Sequence, residues 1–334
     1  MTISVSVISS PVYYLGDEIK VDVRLTNIED HQDSISLPIL ASGKLKYDIF
    51  KILLNRTSVI DYEGLLVKAQ PVLSTLDYNE SVEFSVFLGR EYDIKDLGRY
   101  SVCTNSFYDD SVEVDFEVLS GKGQPVKTWL DLESQNAAFK RAVKTFGTHT
   151  SYGATDQQFA DLKIAHNKAL SAFSFINSFG ASVSSVIREP YKSVICSSGH
   201  HAKNTLEKFL DINTYMYDSM IYVFNSPDCQ AGVFGFVWKS DVSKTVYLCE
   251  EYNNAVTYPT EANRYDTKSG VIIHEVSHKA VDSKDHFYGY YVCEAHASKC
   301  QEHQEPLTCS NADCLQMFAE LSYLVKDQHD PDEL

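Results

Sequence analysis

The sequence is poor in positive charge and has no long hydrophobic run. Its 29 lysine and arginine residues are outnumbered by 46 aspartate and glutamate residues, which gives a formal net charge of −17 at pH 7. Nucleic acids and anionic membranes are bound through basic patches, so this balance argues against both. No apolar stretch approaches the roughly 20 residues that a membrane-spanning helix needs. We therefore expect neither a nucleic-acid nor a membrane partner.

Cysteine, in contrast, is plentiful. The chain has eight cysteines, most of them in its second half, and such clustering is typical of disulfides formed in an oxidising compartment. The opening "MTISVSVISSPVYYLG" has neither the basic segment nor the apolar segment of a signal peptide. We expect a secreted protein whose signal peptide is absent from this sequence, the alternative being a cytosolic protein with many thiols.

The first 120 residues alternate apolar and polar side chains. This period is typical of β-strands, and turn-forming stretches such as "LGDE" and "DYNE" separate them. The predicted strands include "ISVSVIS" (Ile3–Ser9), "EIKVDVRLTN" (Glu18–Asn27), "SVEFSVFL" (Ser81–Leu88) and "SVEVDFEVL" (Ser111–Leu119). The pattern predicts an all-β, immunoglobulin-like sandwich over residues 1–120. "SGKGQPVK" then breaks the alternation and opens a linker that we place at residues 121–148.

Helical spacing dominates residues 149–334. Apolar residues recur at helical intervals behind Thr155, a plausible N-cap, and a long helix is predicted from about Asp266. "MIYVF", "VFGFVW" and "TVYLC" read as short strands between Met220 and Cys249. The sequence therefore predicts a mainly helical α+β second domain.

The predicted long helix carries "HEVSH". His274 and His278 are four residues apart, so they share one helix face and can direct both imidazoles at one metal ion. Zinc accepts such a pair together with a third protein ligand, and Glu275 would lie beside the water in the fourth position. A chance occurrence of HExxH on an ordinary amphipathic helix is the alternative.

The residue types leave several third ligands open. The metzincin-type extension would place a histidine at position 284, where this sequence has Lys284. Glu294 would suit a gluzincin, in which a downstream helix supplies a glutamate. The other candidates are Asp285, His286 and His296.

"HEVSH" followed by "SKDHFYG" resembles the aspzincins, the group of deuterolysins and peptidyl-Lys metalloendopeptidases. The signature of that family is HExxH followed by GTxDxxYG, whose aspartate is the third zinc ligand. Asp285 matches this aspartate, and Tyr288 and Gly289 match the final pair. Ser283 replaces the threonine, and Asp282 replaces the first glycine, which puts the loop conformation at that point in question.

The resemblance implies a zincin catalytic domain that holds one catalytic zinc ion and hydrolyses protein or peptide substrates. Glu275 would accept the proton of the attacking water and later deliver it to the leaving amine, and Tyr288 would donate its hydroxyl to the oxyanion. Two alternatives stay open: a gluzincin that uses Glu294, and a non-catalytic adhesion protein with a β-sandwich and a degenerate zinc domain.

In the lysine-specific members of the family, two acids near an "NAD" segment line the pocket for the residue after the cleaved bond. Asp313 matches the first acid, whereas the second position is Gln316. The resemblance thus implies a preference for lysine or basic residues at P1′. The pocket for this residue would have one negative charge fewer than in the lysine-specific members. Asp313 could instead be an acid that stabilises a helix N-terminus.

Cysteine pairing is predicted in two ways. The resemblance implies a disulfide between Cys229 and Cys249. A hairpin of the last four cysteines favours nested pairs, although three connectivities and a second structural zinc site are possible. The nested pairs are 293–314 and 300–309. Cys103 and Cys196 then remain, either as thiols or as a bond between the two domains.

Residues 62–102 resemble the propeptides that precede deuterolysin-type catalytic domains. This implies an N-terminal prodomain that inhibits the enzyme until proteolysis, and we hypothesise that a prodomain lysine occupies the Asp313 pocket as a substrate mimic. Maturation is expected near residues 145–155, and the linker offers lysines as cleavage points: Lys122, Lys127, Lys140 and Lys144. A permanent adhesion domain is the alternative.

Overall fold

The computed structural model describes residues 3–40, 44–46, 48–69, 73–104, 113–120, 143–179, 187–199, 201–239, 241, 243–300 and 306–329. The chain divides into two units. The first consists of Met1–Leu65, Pro71–Asn136 and Trp238–Ser240, and the second of Leu66–Gln70, Ala137–Val237 and Asp241–Leu334. The short segment Leu66–Gln70 therefore comes from the N-terminal part of the chain but belongs to the C-terminal unit.

The first unit is built from β-sheets. The elements of this part of the chain are β1 (Ile3–Ser9), β2 (Val12–Tyr14), β3 (Lys20–Asn27), β4 (Asp33–Ser36), β5 (Phe50–Leu54), β6 (Ser58–Ile60), β8 (Leu73–Leu76), β9 (Ser81–Phe87), α1 (Leu88–Glu91), β10 (Gly98–Thr104) and β11 (Glu113–Leu119). A three-stranded antiparallel sheet has the order β1-β3-β9, a five-stranded sheet has the order β2-β11-β10-β5-β6, and β4 pairs with β8.

The alternation of the sequence explains these strands. In β3, Val21, Val23 and Leu25 are buried while their neighbours are more exposed, so one face of the strand enters the core. The prediction of a β-rich N-terminal region is confirmed, and β1 has the predicted bounds. The immunoglobulin-like sandwich stays a prediction.

The second unit combines a six-stranded sheet with helices. Its elements are β7 (Leu65–Ala69), β12 (Val143–Phe146), β13 (His149–Tyr152), α2 (Asp156–Asn177), α3 (Arg188–Val194), α4 (Ala202–Tyr217), β14 (Ile221–Phe224), β15 (Val233–Trp238), β16 (Thr245–Leu248), α5 (Glu250–Asn254), α6 (Lys268–Val281), α7 (Tyr290–Ala297), a 3₁₀ turn (Leu307–Ser310) and α8 (Ala312–His329). This composition confirms the predicted α+β character.

The sheet has the strand order β12-β13-β14-β16-β15-β7. Strands β13, β14 and β16 run parallel, and β15 runs antiparallel to β16. Strand β12 lies within the segment that we predicted to be linker, and Lys144 of this strand forms an ion pair with Asp156. The other predicted cleavage lysines, at positions 122, 127 and 140, lie outside the described residues.

Helix α6 forms the centre of the helical layer. It contacts α2, α4 and α8 as well as β16, and its residues from Lys268 to His278 are buried. The Thr267 side chain caps its N-terminus by accepting a hydrogen bond from the Gly270 N–H (3.0 Å). Helix α2 begins with the predicted Thr155 cap, which forms a full capping box with Gln158. No helix in the described ranges is both long enough and apolar enough to cross a membrane.

Three disulfides lie in the second unit, and they correct part of the predicted pairing. Cys229–Cys249 and Cys293–Cys314 are present as predicted. The predicted pair of Cys300 with Cys309 is wrong, because Cys300 bonds to Cys196, 104 residues away. A bond from Cys196 to Cys103 is thereby also excluded. Helices α3 and α7 contact each other, which brings the two distant sulfurs together.

Thiol mapping tests this connectivity. The protein unfolded without a reductant should react with iodoacetamide at two cysteines, Cys103 and Cys309, because the other six are bonded. A non-reducing proteolytic digest should contain the Cys196–Cys300 cross-link. Recovery of a Cys300–Cys309 peptide instead would contradict the structure.

Candidate metal centre

The end of α6 and the loop that follows it bring three potential metal ligands together. His274 and His278 project from one helix face, and the helix ends at Asp282, which adopts a left-handed conformation (φ 50°). Aspartate tolerates this conformation better than most residues, so it can stand where the family has glycine. The turn then leads directly to Asp285.

The side chains of His274, His278 and Asp285 form a buried cluster. His274 Nε2 lies 3.0 Å from Asp285 Oδ1, and His278 Nε2 lies 3.2 Å from Asp285 Oδ2. One ligand atom from each residue falls within 4.8 Å of the others. In the metal-free chain, burial acts to raise the pKa of Asp285, but the neighbouring histidines outweigh it and lower the pKa.

Both imidazoles direct Nε2 at Asp285, and each Nδ1 faces an oxygen atom on its other side. His278 Nδ1 lies 2.9 Å from the carbonyl oxygen of Ser283, which can only accept a hydrogen bond, so Nδ1 carries the proton. His274 Nδ1 lies at ion-pair distance, 3.1 Å, from Asp313 Oδ1. An acceptor behind a histidine fixes its tautomer and makes the opposite nitrogen a better ligand.

These residues fit zinc. The Nε2 atoms of His274 and His278 and both carboxylate oxygens of Asp285 are buried and have no aligned hydrogen-bond partner among the described residues. Burying polar atoms without partners is costly, and a metal ion relieves that cost. Tetrahedral zinc ligands at ~2.0–2.1 Å from the ion lie roughly 3.3 Å apart, close to the spacings found here.

Glu275 lies next to this cluster and is fully buried. Its Oε1 accepts a hydrogen bond from the N–H of Lys68 (3.0 Å), while its Oε2 has no partner among the described residues. Burial raises its pKa to about 8 in the metal-free chain. Gly235 lets strand β15 pack closely against Glu275. A Cβ at this position would lie only 3.3 Å from Glu275 Cγ and 3.0 Å from a backbone oxygen.

The "YG" pair after Asp285 adds two polar contacts. The hydroxyl of Tyr288 donates to the carbonyl oxygen of Val67 (2.8 Å). Gly289 has φ of 92°, which strongly favours glycine, and its N–H donates to Asp313 Oδ2 (2.7 Å). The glycine of the motif therefore lets the loop bind Asp313.

Asp313, which the resemblance assigns to the P1′ pocket, lies against a lysine of this chain, Lys68. The ammonium group of Lys68 forms an ion pair with Asp313 and a second one with Asp266 (2.9 Å). Burial alone would lower the pKa of Lys68, but the two carboxylates outweigh it and raise the pKa. Burial likewise acts to raise the pKa of Asp313, whereas the charge of Lys68 and the contact with His274 lower it to about 2.

Gln316 lies one turn after Asp313 on α8 and is buried. Its amide donates to Glu320 Oε2 (3.1 Å), and Glu320 Oε1 accepts hydrogen bonds from the N–H and the hydroxyl of Thr267. Thr267 directly follows Asp266, which has a left-handed φ of 55°. Gln316 and Glu320 therefore support the segment that presents Asp266.

Asp266 is the functional candidate that the sequence analysis missed. It lies outside any recognised motif, eight residues before His274, and a single sequence gives no signal that its side chain reaches the Asp313 pocket. The other third-ligand candidates lie outside the cluster. Glu294 is exposed on α7, where it accepts a hydrogen bond from Tyr290, and His286 packs near Ser310.

Zinc binding tests the ligand set. Asp285→Ala should weaken zinc affinity by more than about 100-fold, since even loss of an outer partner costs about 10–100-fold. Glu294→Ala is the matched control and should retain one zinc per chain in metal analysis after dialysis. Loss of zinc from the Glu294 variant but not from the Asp285 variant would contradict the geometry.

Comparisons with known proteins agree with the site. Residues 191–320 match the family described as lysine-specific metallo-endopeptidase, the aspzincins. A search of curated proteins found no match. The solved structures found include two of a β-glucosidase from Listeria innocua, a mutant with laminaribiose and a complex with isofagomine, at 15% and 16% identity. Both have a TM-score of 0.22 and cover 36% of this chain, and this chain spans only 16% of theirs.

Such TM-scores are too low to indicate a shared fold. The family match covers the candidate metal site. The matched segment contains His274, His278 and Asp285 together with Glu275 and Asp313. Residues 191–320 are therefore similar to the aspzincin family, and the match indicates a zinc metalloendopeptidase domain in this part of the chain.

Proposed function

We propose that this chain is a zinc endopeptidase that cleaves before lysine and is made as an inactive pro-form for secretion. One observation carries the proposal. Beside a buried His-His-Asp cluster, a buried glutamate and a tyrosine hydroxyl contact one peptide segment, and two carboxylates bind the lysine side chain of that segment.

His274, His278 and Asp285 would hold a single zinc ion, which when bound supplies Lewis-acid activation of water. Glu275 Oε2 is available to take the proton of the attacking water, and Glu275 Oε1 already contacts the N–H of the peptide. The same carboxyl group can therefore move a proton from water to the leaving nitrogen.

Tyr288 would stabilise the oxyanion. Its hydroxyl already donates to a peptide carbonyl oxygen at 2.8 Å. Negative charge develops on that oxygen during hydrolysis, so the hydrogen bond strengthens in the transition state. Removal of one such donor costs about 10²–10³-fold in kcat in other hydrolases.

The preference for lysine at P1′ would rest on two carboxylates, Asp313 and Asp266. Asp313 is fully buried, so an uncharged P1′ side chain would leave its charge without a cation. Asp266 is half exposed, with 47% of its side chain accessible, and supplies the second charge that Gln316 does not. A long cationic side chain fits this arrangement best.

Secretion and a pro-form are supported by different features. Three disulfides in the second unit suit an oxidising compartment. Lys68, from the N-terminal part of the chain, occupies the Asp313 pocket, which supports an N-terminal prodomain that inhibits the enzyme in cis.

The catalytic role is tested with Glu275→Gln. This substitution keeps the size and a hydrogen-bond acceptor, so the variant should bind zinc and unfold like the wild type. It should cleave an unfolded protein about 10²–10⁴-fold more slowly, as expected for loss of a general acid–base. Full activity in this variant would refute the mechanism.

The lysine pocket is tested by internal competition between two peptides that differ only by Lys or Ala at P1′. The ratio of their kcat/KM values does not depend on how much enzyme is active. Asp266→Asn should lower the ratio about five- to tenfold, as expected for one partly exposed ion pair of ~1 kcal/mol.

Glu261→Gln is the matched control, because Glu261 is an acid in the same connecting segment that pairs with Arg264. It should leave the Lys-to-Ala ratio unchanged. An unchanged ratio in the Asp266 variant would exclude Asp266 from the pocket.

A further inference from the structure

Strand β7 lies at the edge of the described six-stranded sheet, hydrogen-bonded to β15. Residues Leu66–Ala69 of this strand belong to the second unit although they precede the rest of that unit by more than 60 residues. A peptide that joins a sheet edge gains main-chain hydrogen bonds, and pockets for its side chains give specificity. The strand is therefore placed as a bound peptide would be.

Two hydrogen bonds flank a single peptide bond of this strand. The Tyr288 hydroxyl donates to the carbonyl oxygen of Val67, and the N–H of Lys68 donates to Glu275. This oxygen and this nitrogen belong to the bond between Val67 and Lys68. During hydrolysis the oxygen gains negative charge and the nitrogen receives a proton. Tyr288 and Glu275 thus contact the two atoms of the bond whose charge must change.

The side chain of Lys68 fixes the register of the strand. Successive side chains of a strand point to opposite faces, so a slip by one residue would remove the ammonium group from its carboxylates. The lysine side chain is 5% exposed, and Asp313 is completely buried, so their ion pair is largely shielded from solvent. Its loss would leave Asp313 buried without this cation. This pairing holds the bond before Lys68 at Glu275 and Tyr288.

We propose that Leu66–Ala69 is the enzyme's own bound substrate, and that Val67–Lys68 is the first peptide bond cleaved by the zinc-loaded chain. The inference rests on the proposed peptidase function and names the first bond that the peptidase would cleave. Water adds its oxygen to the carbonyl carbon of Val67, and the C–N bond breaks. One water proton passes through Glu275 to the nitrogen of Lys68, and no electrons are exchanged with a redox partner.

Until that bond breaks, the strand prevents other peptides from pairing with β15 and from placing a side chain in the lysine pocket. Cleavage would release a carboxyl terminus at Val67 and an amino terminus at Lys68.

A binding experiment tests occupancy without catalysis. The protein is the full-length, zinc-loaded Glu275→Gln variant, and the probe is a fluorescein-labelled peptide of sequence LLVKA. Adding Lys68→Glu should tighten probe binding at least tenfold, because the tethered strand no longer competes. Lys51→Glu, the same charge change at an exposed site on β5, should not alter binding. Equal probe binding with and without the Lys68→Glu substitution would overturn the proposal, and so would rapid hydrogen exchange of the Lys68 amide in the Glu275→Gln protein.

A cleavage experiment tests the named bond. Wild-type protein freed of metal and then given zinc should split into residues 1–67 and 68–334, as intact mass spectrometry would show. The rate should not depend on protein concentration, since the reaction is intramolecular. The Glu275→Gln variant should stay intact, and Lys51→Glu should be cleaved like the wild type.

The outcomes of this experiment separate failure of this inference from failure of the proposed function. First cleavage at another bond, or an intact Val67–Lys68 bond in protein that cleaves added LLVKA peptide, would overturn the inference alone. If neither the chain nor the added peptide is cleaved, even by the Lys68→Glu variant, the proposed peptidase function falls and this inference falls with it.

Discussion

The carboxylate of Asp313 joins the parts of the site. Its Oδ1 faces both His274 Nδ1 and the ammonium group of Lys68, and its Oδ2 accepts the N–H of Gly289. One buried charge therefore contacts a histidine of the candidate metal cluster, binds the ammonium group of Lys68 and holds the loop that carries Tyr288. Because these contacts share one group, a change at Asp313 would affect metal affinity, loop position and specificity together.

The backbone around this carboxylate is shaped for its neighbours. Asp282 and Gly289 take positive φ values, which turn the chain after α6 so that Asp285 and Tyr288 reach the same site. Gly235 lets β15 approach Glu275, so the edge of the sheet and the metal helix are adjacent. This adjacency explains how an extended strand beside β15 can present a peptide bond to Glu275 and Tyr288.

The sequence predicted the features that depend on local spacing. The bounds of β1 and β15 follow from alternating or apolar runs, and the two histidines follow from helical geometry. Residue chemistry alone left the third member of the predicted ligand set open. Only the family signature singled out Asp285, which lies in one buried cluster with the two histidines.

Features that depend on tertiary packing were not predicted. The pairing of Cys300 with Cys309 was inferred from closeness in sequence, whereas contact between α3 and α7 brings Cys300 to Cys196. Asp266 escaped notice because its role depends on where Glu320 and Thr267 hold the segment before α6. The hypothesis that a prodomain lysine occupies the Asp313 pocket could not name the lysine. Which residue of β7 lies at Asp313 depends on how the strand packs against the site, and the sequence does not show this.

The most direct test of this account is a crystal structure of zinc-loaded, full-length Glu275→Gln protein with anomalous data at the zinc edge. The account predicts one strong anomalous peak bounded by His274 Nε2, His278 Nε2 and the Asp285 carboxylate, with the Val67–Lys68 bond intact beside it and Lys68 between Asp313 and Asp266. A zinc peak elsewhere, or a pocket without Lys68, would contradict it.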